Sequence, residues 1–280
     1  MKIIDAHAHL RHNPAGIDEI VDSGIFEQIW LMDLSRIGTL NGVEFATQEE
    51  LLEITKRYPG FFLAFGFLDL DNAVPDDLDR LVERGFSGLK PYKPLHAYSD
   101  TSYFPLYERA EKLQLPILFH TGLIAHGERY NGGKVLHSYG PEHARPGHLA
   151  SIAEAFPDLN IIGGHQGWPY MEEMEQNIYY YRNIYSDVSG YMRSIHRLNE
   201  IFDRQTHEGT SRYFNEKMFF ATDEFYGEAA SNSRALRLTQ FWQNYFEFVG
   251  ELYYRWGTPP EKEKFFRGNA ITLRQSFPNS

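Results

Sequence analysis

His7 and His9 stand two residues apart in the opening run Ile3-Ile4-Asp5-Ala6-His7-Ala8-His9. On a strand, residues i and i+2 leave the same face, so the two imidazoles point together. Neutral imidazole is the commonest protein ligand for transition metals, and a pair at a strand end can chelate one. Asp5 shares their parity and is expected to accept an imidazole N–H from behind. Further polar residues sit where apolar runs stop. His120 follows Pro116-Ile117-Leu118-Phe119, His165 follows Ile161-Ile162-Gly163-Gly164, and Asp223 follows Met218-Phe219-Phe220-Ala221-Thr222. Histidines with a carboxylate make a nitrogen–oxygen donor set suited to zinc, manganese or ferrous iron. Residues so far apart in sequence can share an ion only if their strands end in one place.

The elements that would bring them together can be read from the pattern. Short apolar runs begin near Lys2, Gln28, Phe61, Phe86, Pro116, Asn160, Ile184 and Lys217. Near-continuous apolar strands suit a parallel sheet covered on both faces. Helical signals lie between them. Thr47 with Glu50 has the form of a capping box. Pro75 opens a helix that Gly85 ends, and Leu149, Ile152, Ala153 and Phe156 repeat at helical spacing before Pro157. Eight strand–helix units predict an α/β chain folded as a single (β/α)₈ TIM barrel over residues 1–280, about the usual length. No Gly-x-Gly-x-x-Gly turn follows the first strand, which disfavours a doubly wound sheet. In a barrel all strand C-termini open at one mouth, which is where the polar residues fall. The longest interval follows the fifth strand, so residues 121–148 are expected to form a lid hinged near Gly132-Gly133.

Composition narrows the partners. The 280 residues carry 27 basic and 38 acidic side chains, a net charge of −11, which disfavours nucleic acid and anionic membranes. There is no cysteine, which excludes disulfides, thiol nucleophiles and cysteine-ligated metals. No stretch approaches the roughly 20 apolar residues of a membrane span. No apolar signal core precedes the first polar cluster, so a cytoplasmic location is expected. A homodimer is left open.

Asp5-Ala6-His7-Ala8-His9, Phe119-His120-Thr121-Gly122, Gly164-His165-Gln166-Gly167 and Thr222-Asp223 resemble the motifs of the amidohydrolase superfamily. More narrowly they resemble its amidohydrolase-2 branch of metal-dependent hydrolases, lactonases and aminocarboxymuconate-semialdehyde decarboxylase-like enzymes. Gly85-Phe86-Ser87-Gly88-Leu89-Lys90, Ser186-Asp187-Val188-Ser189-Gly190 and Gly268-Asn269-Ala270 extend the likeness over residues 3–273. The resemblance implies one divalent ion, zinc first and manganese second, held by His7, His9, His120 and Asp223. It implies that Asp223 handles the proton of an attacking water. His165 would act on the substrate, or ligate a second metal. Lys90 stands near the position of the lysine that bridges two metals in binuclear members, and is otherwise a substrate contact. His126, Arg129 and Trp168 are expected to touch a small, anionic substrate. The resemblance covers hydrolysis of an amide, lactone or ester and also nonoxidative decarboxylation of an aromatic or unsaturated acid. A third reading is a barrel that binds a ligand without turnover; loss of a ligand residue would mark it, and every position is filled.

Overall fold

The computed structural model describes residues 1–40, 42–122, 141–190, 216–253 and 262–278. Among these, the parallel strands are β1 (Ile3–Leu10), β2 (Phe26–Met32), β3 (Phe62–Leu68), β4 (Gly88–Pro91), β5 (Ile117–Phe119), β6 (Ile161–Gly163), β7 (Ile184–Asp187), β8 (Met218–Phe219) and β9 (Phe225–Tyr226). Their order across the sheet is β8-β7-β6-β5-β4-β3-β2-β1-β9. The two ends of that order are one stretch of chain, and it closes the sheet on itself. Ala6 N–H donates to Phe220 O at 3.1 Å, Asp223 N–H to His7 O at 2.7 Å, and His9 N–H to Glu224 O at 2.8 Å. The eighth strand is thus one segment broken at Asp223, which lies in the left-handed region at φ +59°. The fold is the expected (β/α)₈ barrel.

The helices form where their signals stood. Thr47 caps α1 (Gln48–Arg57) by accepting from Glu50 N–H at 3.2 Å, and the Glu50 carboxylate accepts from Thr47 N–H at 2.8 Å. Pro75 opens α2 (Pro75–Arg84), and Gly85 ends it at φ +110°, a conformation glycine adopts without a Cβ penalty. The α3 helix (Gly147–Ala155) buries Leu149, Ile152 and Ala153. Two apolar layers result. Ile4, Ala6, Trp30, Leu63, Phe65 and Phe219 fill the barrel interior, while a larger set packs between strands and helices.

One irregularity in β1 decides where the histidines point. Ile4 and Ala6 belong to the interior, but Ala8 and Leu10 belong to the outer layer. The alternation breaks where pairing to β2 shifts register between Asp5 and Ala8. His7 and His9 consequently turn toward the mouth, while Asp5 stays on the opposite side. The expectation that Asp5 backs an imidazole is therefore corrected. Its carboxylate accepts from Thr222 N–H at 2.9 Å, Thr222 Oγ1–H at 2.5 Å and Tyr226 O–H at 2.9 Å, binding β1 to the broken eighth strand. Burial pushes this carboxyl up to about 7, against the pull of those donors.

Asp5→Ala leaves these buried donors without an acceptor, at roughly 1–3 kcal/mol for each unsatisfied group. The variant is expected to lose on the order of 3 kcal/mol of unfolding free energy. Urea unfolding checks this: a lower midpoint at unchanged slope is the predicted result, and a parent-like midpoint contradicts the clamp.

Candidate metal centre

Each β1 histidine has an acceptor behind its Nδ1, and that fixes what its Nε2 can offer. His9 Nδ1 lies 3.1 Å from Met32 O, and a carbonyl can only accept, so the Nδ1 hydrogen is committed there. His7 Nδ1 lies 2.9 Å from Asp187 Oδ2 and donates to it in the same way. His7 is fully buried, and desolvation, helped by the charge of Lys90, lowers its pKa to about 3. Its Nε2 is a lone pair throughout the ordinary pH range.

Both Nε2 atoms meet Asp223. His9 Nε2 lies 3.0 Å and His7 Nε2 3.7 Å from Asp223 Oδ1. The ligand atoms of His7, His9 and Asp223 all fall within 4.8 Å of one another. A neutral His9 carries only a lone pair at Nε2, so two acceptors face each other at 3.0 Å. They repel unless a proton or a cation lies between them. Ligands about 2.0–2.1 Å from a tetrahedral zinc ion stand about 3.3 Å apart, and the observed pair of distances brackets that spacing. The donor set therefore fits a divalent ion. Desolvation pushes the Asp223 carboxyl up, but a His9 that carries the proton and donates across this contact holds it well below the usual carboxylate range. Its side chain remains 30% exposed, which leaves the triplet open to the mouth. Lys90 Nζ lies 3.1 Å from His7 Nε2, and burial brings its pKa down to about 8.

His7, His165 and Asp187 form a second triplet. Its carboxylate is already engaged by donors on both oxygens. Asp187 accepts from His7 Nδ1–H, from His165 N–H at 3.0 Å, from Ser189 N–H at 2.9 Å and from Ser189 Oγ–H at 2.5 Å. Oδ1 takes three of these donors and Oδ2 one, and His7 meets the carboxylate through an N–H and not through a lone pair. This triplet positions side chains, and the first is the one suited to an ion.

The sequence profile of the amidohydrolase family matches residues 4–273. The chain belongs to the amidohydrolase family. No curated protein matches it. Among solved structures it resembles an uncharacterized TIM-barrel protein from Bordetella bronchiseptica at 16% identity, with 99% of each chain covered and a TM-score of 0.67. It also resembles a probable 2-pyrone-4,6-dicarboxylic acid hydrolase from Acinetobacter baumannii at 14% identity, covering 98% of this chain and 100% of that one, TM-score 0.63. A 2,6-dihydroxybenzoate decarboxylase from Rhizobium is similar at 18% identity, with 98% and 99% covered and a TM-score of 0.60. At such identities the likeness is one of fold.

In this member of the family, His7, His9 and Asp223 come together at the mouth. His120 reaches the same mouth but stands outside the triplet, its Nδ1 3.1 Å from His165 Nε2. Trp168 is half-buried, and its ring packs against the layer between strands and helices. His126, Arg129, Gly132-Gly133 and most of the lid expected over 121–148 lie outside the described residues. At the far end of that segment, Arg145 Nε donates to Glu173 at 3.0 Å and His148 Nδ1 meets Ser99 Oγ at 2.9 Å, both tied to the scaffold. Sequence reading gave no role to Asp187 or Ser189, although both stand in the strand-seven motif Ser186-Asp187-Val188-Ser189-Gly190. A carboxylate ending an apolar strand was the available signal.

Asp187→Asn keeps the shape but cannot accept from all four donors. Zinc affinity in competition with a chelator is expected to fall by about 10–100-fold, the usual effect of losing a partner behind a metal-binding histidine. Unchanged affinity would remove Asp187 from the ligand-orienting role.

Proposed function

We propose that the chain is a metal-dependent hydrolase that activates a water to cleave an amide, lactone or ester bond of a small anionic substrate. The convergence of His7 Nε2, His9 Nε2 and Asp223 Oδ1 carries this reading, because it assembles three ligand atoms at a spacing that suits one cation. His7, His9 and Asp223 would hold one ion, with His120 as a further ligand; two imidazoles and a carboxylate favour zinc, with manganese the alternative. The ion supplies Lewis acidity that brings the pKa of a water toward about 7. Asp223 accepts the proton of the attacking water and passes it to the leaving group. His165, across the His7 ring at a centroid distance of 4.9 Å, acts on the substrate by polarising its carbonyl or shuttling a proton. Lys90, an ammonium rather than a metal bridge in this reading, favours an anionic substrate, as does half-buried Lys93 just beyond it. Trp168, His126 and Arg129 are proposed as substrate contacts.

A second reading is nonoxidative decarboxylation of an aromatic or unsaturated acid. It is supported by Phe225, stacked on His9 at 5.2 Å, by Phe45 edge-on at 5.7 Å, and by the likeness to the dihydroxybenzoate decarboxylase. A panel of lactones, amides, esters and aromatic acids, read for hydrolysis products and carbon dioxide, separates the two. Hydrolytic turnover is the expected result. Carbon dioxide release with no hydrolysis would establish the second reading, and ion binding with no turnover at all would leave only a ligand-binding barrel. His165→Asn is expected to lower kcat about 100-fold or more even where excess zinc keeps the centre loaded. Two ion equivalents in the parent, with one lost in that variant, would make the centre binuclear.

A further inference from the structure

Ser189 joins histidines from two other strands to the buried carboxylate of β7. Its Oγ lies 2.5 Å from Asp187 Oδ1, 2.9 Å from His165 Nδ1 and 3.2 Å from His7 Nδ1. Two oxygens 2.5 Å apart need a hydrogen between them, and with Asp187 ionised that hydrogen is the serine's own. A hydroxyl has one hydrogen to give. Toward His165 the Oγ can then only accept, so His165 Nδ1 carries a hydrogen. In neutral His165 the other nitrogen, Nε2, is a lone pair, and it faces His120 Nδ1 at 3.1 Å. The contact is satisfied when His120 Nδ1 carries the hydrogen, which leaves the His120 lone pair on Nε2.

The backbone is arranged to permit this chain. His165 sits in the left-handed region at φ +60°, anchored by its own N–H on Asp187. Gly190 follows Ser189 at φ +78°, and a Cβ there would lie 2.8 Å from His165 Nδ1. Only a glycine lets the ring approach Ser189 so closely. Ser189 itself is fully buried, so water does not compete for its hydroxyl.

We propose that Ser189 is a positioning residue that sets the tautomers of His165 and, through it, of His120, so that His120 presents an Nε2 lone pair and not an N–H. The tautomers follow from these contacts with Asp187 ionised and His165 neutral; their consequence for ion binding rests on reading this mouth as the ion-binding catalytic centre. A serine just past the seventh strand thereby governs the state of a histidine just past the fifth. His165 in this form accepts a proton at Nε2, so of its two proposed roles the shuttle is the one it is built for.

Two-bond ¹⁵N–¹H correlation spectra distinguish a protonated from a bare ring nitrogen. They would be recorded on histidine-labelled, zinc-loaded and zinc-free protein at about pH 8, above the ordinary imidazole range. His165→Gln and His120→Gln assign the signals. The parent is expected to show both rings protonated at Nδ1. An Nε2-protonated His165 in the parent overturns the proposal without need of any variant. In Ser189→Ala the Nδ1 preference of both rings should be lost and zinc affinity should fall by about 10-fold or more, while Ser189→Thr, which keeps the hydroxyl, restores both. Parent-like tautomers in Ser189→Ala also overturn it. Absence of turnover on every substrate would remove the hydrolase reading and leave the tautomers standing, so the two failures are distinguishable.

Discussion

Asp187 is an anion with no exposure to solvent, and such a charge persists only where donors replace the water it gave up. Here four do so: an imidazole N–H, a hydroxyl and two backbone amides. Against the desolvation that raises it, the His7 contact holds the carboxyl well below its ordinary range. Each donor that satisfies Asp187 is thereby fixed in direction. His7 must carry its hydrogen on Nδ1 and face the mouth with a lone pair. The His165 backbone must turn toward β7, and Ser189 must turn its own hydrogen inward. The open triplet of His7, His9 and Asp223 is shaped by this closed one beneath it.

The barrel supplies the rigidity, and its irregularities supply the aim. A perfect β1 would place His7 and His9 on the side of Asp5; the register shift beside Ala6 and Ala8 separates them. An unbroken eighth strand would carry Asp223 past the histidines, whereas its turn at φ +59° sets the carboxylate over them. His165 and Gln166 bend the chain after β6 in the same left-handed region. Such conformations cost an ordinary residue roughly 1–2 kcal/mol each and persist where surrounding structure determines them. Asp223 and His165 are both held by backbone N–H bonds, to His7 O and Asp187 Oδ1.

Much of this was legible in the sequence because it depends on local chemistry. Apolar runs, Thr47 with Glu50, Pro75 and Gly85 each state an element boundary, and H-x-H with strand-end His120, His165 and Asp223 states a mouth. What depends on register or on backbone acceptors was not. Strand parity puts Asp5 beside the imidazoles, and only the pairing of β1 with β2 shows otherwise. The partner of His9 is the main chain of Met32, which no side-chain pattern can announce. Asp187 and Ser189 read as an ordinary strand end because their significance lies in a contact some 180 residues away in sequence, with His7. His120 stands at the mouth, but its neighbour there is His165, a relation set by the bend at φ +60°.

The central claim is that the lone pairs of His7, His9 and Asp223 converge because a divalent ion belongs between them. Equilibrium dialysis of the purified, chelator-stripped protein against zinc and manganese, with elemental analysis of the retained ion, tests it most directly. The account predicts about one tightly held ion per chain in the parent, with retention lost in His9→Ala and in Asp223→Ala while both variants keep the barrel's circular dichroism. A parent that retains no ion, or variants that retain as much as the parent, would contradict it.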